Sequence, residues 1–150
     1  ELAQERMKHL YEQKGYPKDW IDKRLRGIAI RQGLTDEWKE RGIKAKKDYA
    51  ILTSEISKAT FGMTPGQYKK FKRIPSKTKL NLRDNMTDLE VIFTMLGERG
   101  TTEISKNEKP IAFKENKKVA HRAGSVAGRA RLETEKEIGK SIITKQNYLK

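Results

Sequence analysis

The sequence predicts an all-α fold, a compact multi-helix domain of about five to six helices. Apolar residues recur every three to four positions through most of the 150 residues, which is the period of a helix with one buried face. Apolar and polar residues never alternate over more than four positions, so no strand is indicated. Glycines and capping residues divide the periodic stretches into helices joined by short turns. Apolar residues make up 35% of the chain, which is enough for one modest core.

The first part of the chain is predicted to form three helices. Gly15, Gly33 and Gly42 each follow a periodic stretch, where a glycine can adopt the left-handed conformation that ends a helix. Thr35 is placed to cap the third and shortest of them. The predicted helices cover residues 1–14, residues 17–32, and a short stretch between Thr35 and Gly42.

The middle of the chain is predicted to hold three more helices. One covers residues 46–60, and two capping boxes, Thr64 with Gln67 and Thr87 with Glu90, each begin another. The first box opens a short helix, and residues 76–81 after it are predicted to be a loop. The second box opens a helix through Leu96 whose apolar face is Leu89, Ile92, Phe93 and Leu96, with a helical continuation over residues 101–105.

The last third is predicted to be a basic helix over residues 114–137 with only small residues on its stripe. Such a helix buries little surface alone, so we expect it to pack very closely against another helix, to stay partly disordered, or to order on a partner. We divide the chain into a helical core domain, 1–110, and a basic extension, 111–150, that packs on the body or in trans on a second copy. The small residues are Ala120, Ala123, Gly124, Ala127, Gly128 and Ala130.

The composition excludes several classes of protein. The chain contains no cysteine, which rules out disulfide-stapled mini-proteins and cysteine-ligated zinc modules. No apolar run approaches the roughly 18 residues of a membrane helix, and no signal-peptide pattern opens the chain. We therefore expect a soluble intracellular protein with no membrane partner. Because the first residue is Glu1 and not Met, we also expect a domain of a longer protein or a processed product.

The strongest signal is charge. The net charge is +14, which predicts a polyanionic partner. Residues 66–83 hold 7 basic residues and no acidic one, interleaved with Tyr68 and Phe71. Such a segment can neutralise phosphates, and an aromatic beside it can stack on an unpaired base. Its candidate nucleic-acid-binding residues are Lys69, Lys70, Lys72, Arg73, Lys77, Lys79 and Arg83. The alternative is a solvated basic loop with both aromatics in the core.

A second basic segment lies in the predicted C-terminal helix. Residues 106–131 hold 8 basic and 2 acidic residues. The neighbouring small residues let a helix approach either a phosphate backbone or another helix, and both readings stay open. A weaker patch, Lys23, Arg24, Arg26 and Arg31, is predicted to be a plain exposed helix face. The candidate binding residues of the second segment are Lys117, Lys118, Arg122, Arg129 and Arg131, with Lys114 beside them.

Residues that could support catalysis are few. The two histidines, His9 and His121, have no acid at a suggestive spacing, and no glycine-rich phosphate loop is present. Five carboxylates cluster in sequence and form a weak candidate for Mg²⁺, although two of them have places at a helix N-terminus. We predict no enzyme, no catalytic residue, no cofactor and no metal. The carboxylates are Asp84, Asp88, Glu90, Glu98 and Glu103.

Several long strings resemble the C-terminal region of the bacterial DNA-damage-inducible protein D (DinD) family, over nearly the whole chain. They are ELAQERM at 1–7, WIDKRLRGIAIR at 20–31, LTDEW at 34–38, YAILTSEISKATFG at 49–62, NLRD at 81–84 and MTDLEVIFTMLGE at 86–98. The resemblance implies a protein of the DNA-damage (SOS) response that acts in DNA repair or recombination in the bacterial cytoplasm, at the nucleoid when active. Members usually carry an N-terminal BRO-type domain thought to bind DNA, which this sequence lacks.

Two functions follow as hypotheses. In the first, the domain is non-enzymatic and modulates repair or recombination by contacting single-stranded DNA, a recombinase–DNA filament, or both. In the second, it is a protein-interaction or dimerisation module of a BRO-type, antirepressor-like DNA-binding protein. The small-residue helix and the apolar tail, with Ile142, Ile143, Tyr148 and Leu149, favour the second hypothesis and a homodimer.

Overall fold

The computed structural model describes residues 2–75 and 81–145, and within them the chain is all-helical. The predicted fold class is confirmed, since the described residues form six α-helices, one 3₁₀ turn and no strand. The helices are α1 Leu2–Gln13, α2 Lys18–Glu40, α3 Lys46–Phe61, α4 Pro65–Phe71, α5 Asp88–Glu108 and α6 Ala112–Ile138, and the 3₁₀ turn is Arg83–Asn85.

The predicted break at Gly33 is wrong, because α2 runs through it as one helix of 23 residues. A glycine inside a helix costs about 1 kcal/mol relative to alanine, which burial of one large side chain exceeds. Leu34 and Trp38, both with 0% exposure, continue the buried stripe of α2 beyond the glycine. The Thr35 hydroxyl donates to the Gln32 carbonyl within the helix and caps nothing.

Both predicted capping boxes are present. The Thr64 amide donates to Gln67 Oε1 at 2.9 Å, and the Gln67 amide donates to the Thr64 hydroxyl at 3.2 Å. The Thr87 amide likewise donates to Glu90 Oε1 at 2.8 Å. These local interactions fix where α4 and α5 begin.

Helix α5 is longer than predicted and buries a different face. It continues to Glu108, and of the four apolar residues expected inside only Phe93 is buried. Leu89, Ile92 and Leu96 are 36–42% exposed. The buried face instead carries two carboxylates, Glu90 and Glu98, with small and apolar residues between them. The predicted buried face of α5 is therefore wrong, because Glu90 and Glu98 point inward to charged partners outside this helix.

Helix α5 lies at the centre of the domain. Contacts between Lys23 and Asp88 and between Arg31 and Glu98 show that α2 runs parallel to it. Helix α6 returns antiparallel on another side, so that Ala123 lies beside Gly100 and Ala127 beside Gly97. Helix α3 runs parallel to α6 and also touches α5. The main buried cluster between these helices is Leu34, Trp38, Ile43, Leu52, Ile56 and Ala120.

The small-residue face of α6 packs against α3 at backbone distance. A Cβ atom added to Gly124 would lie 2.8 Å from the carbonyl oxygen of Ile56, and one added to Gly128 would overlap the carbonyl oxygen of Ala59. Among the readings open from the sequence, tight packing on another helix is the one observed. That helix belongs to the same chain, so this face is not available to a second copy or to a phosphate backbone.

The chain after α6 folds back on the body. Ile142 is 2% exposed and joins the cluster formed by Phe61, Tyr68, Met86, Val91 and Phe93. Ile143 packs against the same cluster. Tyr148 and Leu149, also expected to dock, lie outside the described residues. In the described ranges, no helix combines the length and apolar character needed to cross a membrane.

Substituting Gly128 by alanine should lower the free energy of unfolding by about 1–3 kcal/mol, because the added methyl group forces α6 away from α3. Gly33→Ala is the matched control, since a Cβ there meets nothing within 4 Å. It should raise the free energy of unfolding by roughly 0.5–1 kcal/mol through helix propensity. Urea denaturation followed by circular dichroism measures both, and a Gly128→Ala variant as stable as Gly33→Ala would refute the close packing.

Candidate nucleic-acid interface

The described residues of the basic segment, 66–75 and 81–83, do not form a continuous charged surface. Lys72 is 1% exposed, and its ammonium donates to Glu90 Oε1 at 2.8 Å and to the Thr144 carbonyl at 2.8 Å. Tyr68 is also fully buried, with its hydroxyl donating to the other oxygen of Glu90. Burial, followed by the neighbouring Glu90 carboxylate, raises the pKa of Tyr68 well above its usual range. The prediction of Lys72 as a phosphate ligand is therefore wrong, and Tyr68 cannot stack on a base.

Arg83 is likewise engaged inside the protein. Its guanidinium forms a two-pronged ion pair with Glu98, at 2.8 Å from Nη1 to Oε1 and 2.6 Å from Nη2 to Oε2. Arg31 of α2 donates to the same carboxylate at 3.3 Å. Burial alone would raise the pKa of Glu98, but Arg83 and then Arg31 hold it below its usual value. Arg83 is thus a structural cation, and its assignment to DNA binding is corrected.

Three of the seven predicted residues in this segment remain accessible or partly so. Lys70 and Arg73 are exposed and Lys69 is half-buried, all at the C-terminal end of α4. Lys77 and Lys79 lie outside the described residues. Of the five predicted cations that the structure describes in this segment, Lys69, Lys70 and Arg73 form a short cationic patch.

The solvent face of α6 carries the longer cationic surface. Lys118 and Arg129, both predicted, are exposed at a spacing of three helical turns, and Lys114 and Lys136 extend the same face in each direction. At 1.5 Å per residue this basic ridge, Lys114, Lys118, Arg129 and Lys136, spans about 33 Å. Within the part of the chain that the structure describes, none of the four forms an ion pair with a carboxylate.

The other predicted residues of α6 flank the ridge or lie beneath it. Lys117 is exposed and lines a groove of about 300 Å³ with Lys58 of α3. Arg122 is exposed but forms a two-pronged pair with Glu108 at 2.8 and 2.9 Å. Arg131 donates to the Thr60 carbonyl at 2.8 Å and pairs with Glu135, with 11% of its side chain exposed. Arg131 therefore joins α6 to α3 and is not a binding residue.

The weak basic patch on α2 is only in part the exposed face that the sequence predicts, because Arg26 is exposed but the other three residues pair with carboxylates. Lys23 pairs with Asp88 at 3.0 Å, Arg24 with Asp84 at 2.8 Å, and Arg31 with Glu98. These pairs join α2 to α5 and to the turn before it. The sequence contains one signal for these ion pairs. Arg24 lies three residues after Ile21 and three residues before Gly27, and because both of these are buried, Arg24 lies on the buried face of α2.

The carboxylates that formed a weak metal candidate are all paired with bases. Asp84, Asp88, Glu90 and Glu98 face cations as described, and Glu103 pairs with Arg99 at 2.9 Å. Among the described residues, no group of three or more acidic or histidine side chains is arranged to hold a metal ion. The His121 ring lies 2.8 Å from Glu55 at the surface, between α6 and α3. The accessible cations of this surface can therefore bind an anion.

No family model, curated protein or solved structure matches this chain. The resemblance to the DinD family therefore stays an expectation from the sequence, and the site must be judged on its own geometry.

Substituting Arg83 by methionine should cost about 3 kcal/mol of stability at pH 7, because it leaves the buried Glu98 carboxylate with Arg31 alone. The folded-state pKa of Glu98 is lowered, so its stabilising contribution is present above its unfolded pKa of about 4.3 and is lost as the pH falls through the folded value. The difference between wild type and variant should therefore shrink on acidification. Denaturation at several pH values measures this.

The control is Arg99→Met, which removes an ion pair whose two side chains are each 54% exposed. It should change the free energy of unfolding by less than about 0.5 kcal/mol. Equal costs for the two substitutions at pH 7 would contradict the structural role of Arg83.

Proposed function

We propose that this domain binds DNA through sequence-independent phosphate contacts from the basic ridge of α6. We further propose that it acts without catalysis in bacterial DNA repair or recombination after DNA damage, in the cytoplasm and at the nucleoid. The observation that carries the proposal is the ridge itself: four exposed cations on one helix face, none neutralised by a carboxylate of the described chain.

The four cations of the ridge have no carboxylate partner in the described chain, whereas several other cations of the domain do. This contrast supports an external anion as the partner of the ridge. Lys72, Arg83, Arg24 and Arg31 all face carboxylates. Repulsion between like charges destabilises a folded protein unless a partner compensates for it. A phosphate backbone supplies that compensation, since lysine and arginine displace its condensed counterions.

The accessible surface favours contact with phosphates over contact with bases. Base stacking needs an exposed aromatic ring, and every Phe, Tyr and Trp among the described residues is buried or half-buried. The ridge itself contains no aromatic side chain. Contacts with phosphates fix the position of a protein on DNA but do not select a sequence. We therefore expect binding to tolerate any sequence, both on free DNA and on DNA held in a recombinase filament.

The protein-interaction hypothesis loses two of its supports. The small-residue face of α6 is covered by α3 and α5, and Ile142 and Ile143 pack within the chain. DNA contact rests on a surface that stays open, and for that reason we favour it. The involvement of DNA damage and of a recombinase comes from the sequence resemblance.

Binding of labelled single-stranded DNA should weaken steeply with salt. Four phosphate contacts predict a slope of about −3 in a plot of log binding constant against log salt concentration. The double variant Lys118→Glu/Arg129→Glu should raise the dissociation constant at least about tenfold at low salt and reduce the slope to about −1.5. Fluorescence anisotropy over a salt series measures both quantities.

The matched control is Lys18→Glu/Arg26→Glu, which makes the same change in net charge at two exposed residues of α2. It should leave the dissociation constant within about twofold and the slope unchanged, because net charge alone adds no local contact. A third variant replaces Lys69, Lys70 and Arg73 by glutamate. If that variant abolishes binding while the ridge variant binds like wild type, the ridge is not the interface.

A further inference from the structure

A groove between α4 and α5 holds residues 140–145, the C-terminal segment, as a receptor holds a peptide. The buried Lys72 ammonium donates to the carbonyl of Thr144 at 2.8 Å. The amide of the same residue donates to Glu90 Oε2 at 3.4 Å. Two charged side chains thus bind both main-chain groups of one residue, which is how a protein recognises an extended peptide without reading its side chains.

An apolar pocket adds selectivity to the groove. The Ile142 side chain is 2% exposed and packs among aromatic and aliphatic side chains of α3, α4 and α5. Burying an isoleucine contributes roughly 1.5–3 kcal/mol, so this residue anchors the segment. The pocket residues are Phe61, Tyr68, Val91 and Phe93 from these helices and Met86 from the turn before α5.

Helix α6 supplies the third contact. Glu135, held by Arg131, accepts hydrogen bonds from the Ile142 amide at 2.9 Å and from the Ser141 hydroxyl at 3.4 Å. The groove therefore binds the segment at three successive points: an amide at Glu135, an aliphatic side chain in the pocket, and the amide and carbonyl of Thr144 at Glu90 and Lys72.

The ion pair between Lys72 and Glu90 is suited to binding the main-chain groups of the segment. Moving Lys72 and Glu90 out of water costs several kcal/mol per ion unless further hydrogen bonds satisfy them. The C-terminal segment provides one such bond to each residue, in addition to the bonds that Glu90 accepts from the Tyr68 hydroxyl and the Thr87 amide. An apolar pair would fill the same space without this cost, but it would not bind the carbonyl and amide of Thr144.

A single residue joins the C-terminal segment to α6. Gly139 ends the helix with φ of 77°, a left-handed conformation that favours glycine. The glycine contacts between α6 and α3 lie at Gly124 and Gly128, at least three helical turns upstream, and the bond from Arg131 to the Thr60 carbonyl lies about two turns upstream. The segment can therefore leave its groove while the helix packing stays intact.

We propose that the groove also accepts the C-terminal segment of a second copy of this chain, giving a tail-exchanged dimer in which the partner contributes Ile142 and Thr144. Among the described residues, this segment is the part of the chain that the structure places in the groove, and a second copy carries it unchanged. When two identical copies exchange this segment, each groove can form the same contacts with the partner's segment as with its own. The exchanged dimer loses only the high effective concentration of a segment attached to the same chain. That connection corresponds to a millimolar effective concentration, so wild type is mainly the closed monomer.

Two full-length variants test the exchange. Lys72→Met/Glu90→Gln removes the groove's bonds to the main chain of Thr144 but leaves the segment intact, and its glutamine preserves the capping box with Thr87. Ile142→Asp disables the segment but leaves the groove intact. Each variant alone should be a monomer in native mass spectrometry and light scattering. An equimolar mixture should form a heterodimer of twice the monomer mass, in which the intact segment of the first variant fills the intact groove of the second.

The control mixes Ile142→Asp with a groove variant that also carries Ile142→Asp, and it should stay monomeric. A dimer in this control would show that the copies associate through another surface and would overturn the proposal. A monomeric test mixture, with each variant helical by circular dichroism, would also overturn it. If Ile142→Asp fails to fold, Thr144→Pro takes its place, because proline removes the amide that donates to Glu90. DNA binding does not enter these readouts, so failure of one proposal leaves the other testable.

Discussion

Helices α3 and α6 approach each other until the backbone of one touches the backbone of the other, and the rest of the domain depends on this contact. Gly124 and Gly128 allow it, because any side chain there would collide with Ile56 or Ala59. Gly97 brings α5 to the same junction, where an added Cβ would lie 2.9 Å from the Thr60 hydroxyl and 3.0 Å from Ile56. Three helices thus meet where three glycines lie, and the gain in dispersion contacts offsets the helix propensity that the glycines lose.

This junction determines which charges face water. Once the small-residue face of α6 is turned inward, the cations at Lys118 and Arg129 necessarily point outward. Arg131 lies nearer the junction and is drawn to the Thr60 carbonyl. One helix therefore separates its basic residues into structural and accessible sets by their angle around its axis. Charge counted along the sequence cannot make that distinction.

The buried ion pairs are a second feature that charge counted along the sequence cannot predict. Local signals in the sequence predicted most of the helices, the two capping boxes and the helix-ending glycines Gly15 and Gly42 correctly, because those features depend on residues three or four positions apart. The pairing of Arg83 and Arg31 with Glu98, and of Lys72 with Glu90, joins residues 15 to 67 positions apart. Only the tertiary arrangement brings these partners together. For the same reason the exposed position of Leu96 and the continuation of α2 past Gly33 escaped prediction.

The inner face of α6 builds the fold, and our central claim is that its outer face binds the proposed polyanion. Mapping amide chemical shifts by nuclear magnetic resonance, while a short single-stranded oligonucleotide is added, tests this claim most directly. We expect shifts that recur with the helical period at Lys114, Lys118, Arg129 and Lys136, and none at Gly124, Gly128 or Lys72. Shifts concentrated in residues 66–75, with the solvent face of α6 unchanged, would contradict it.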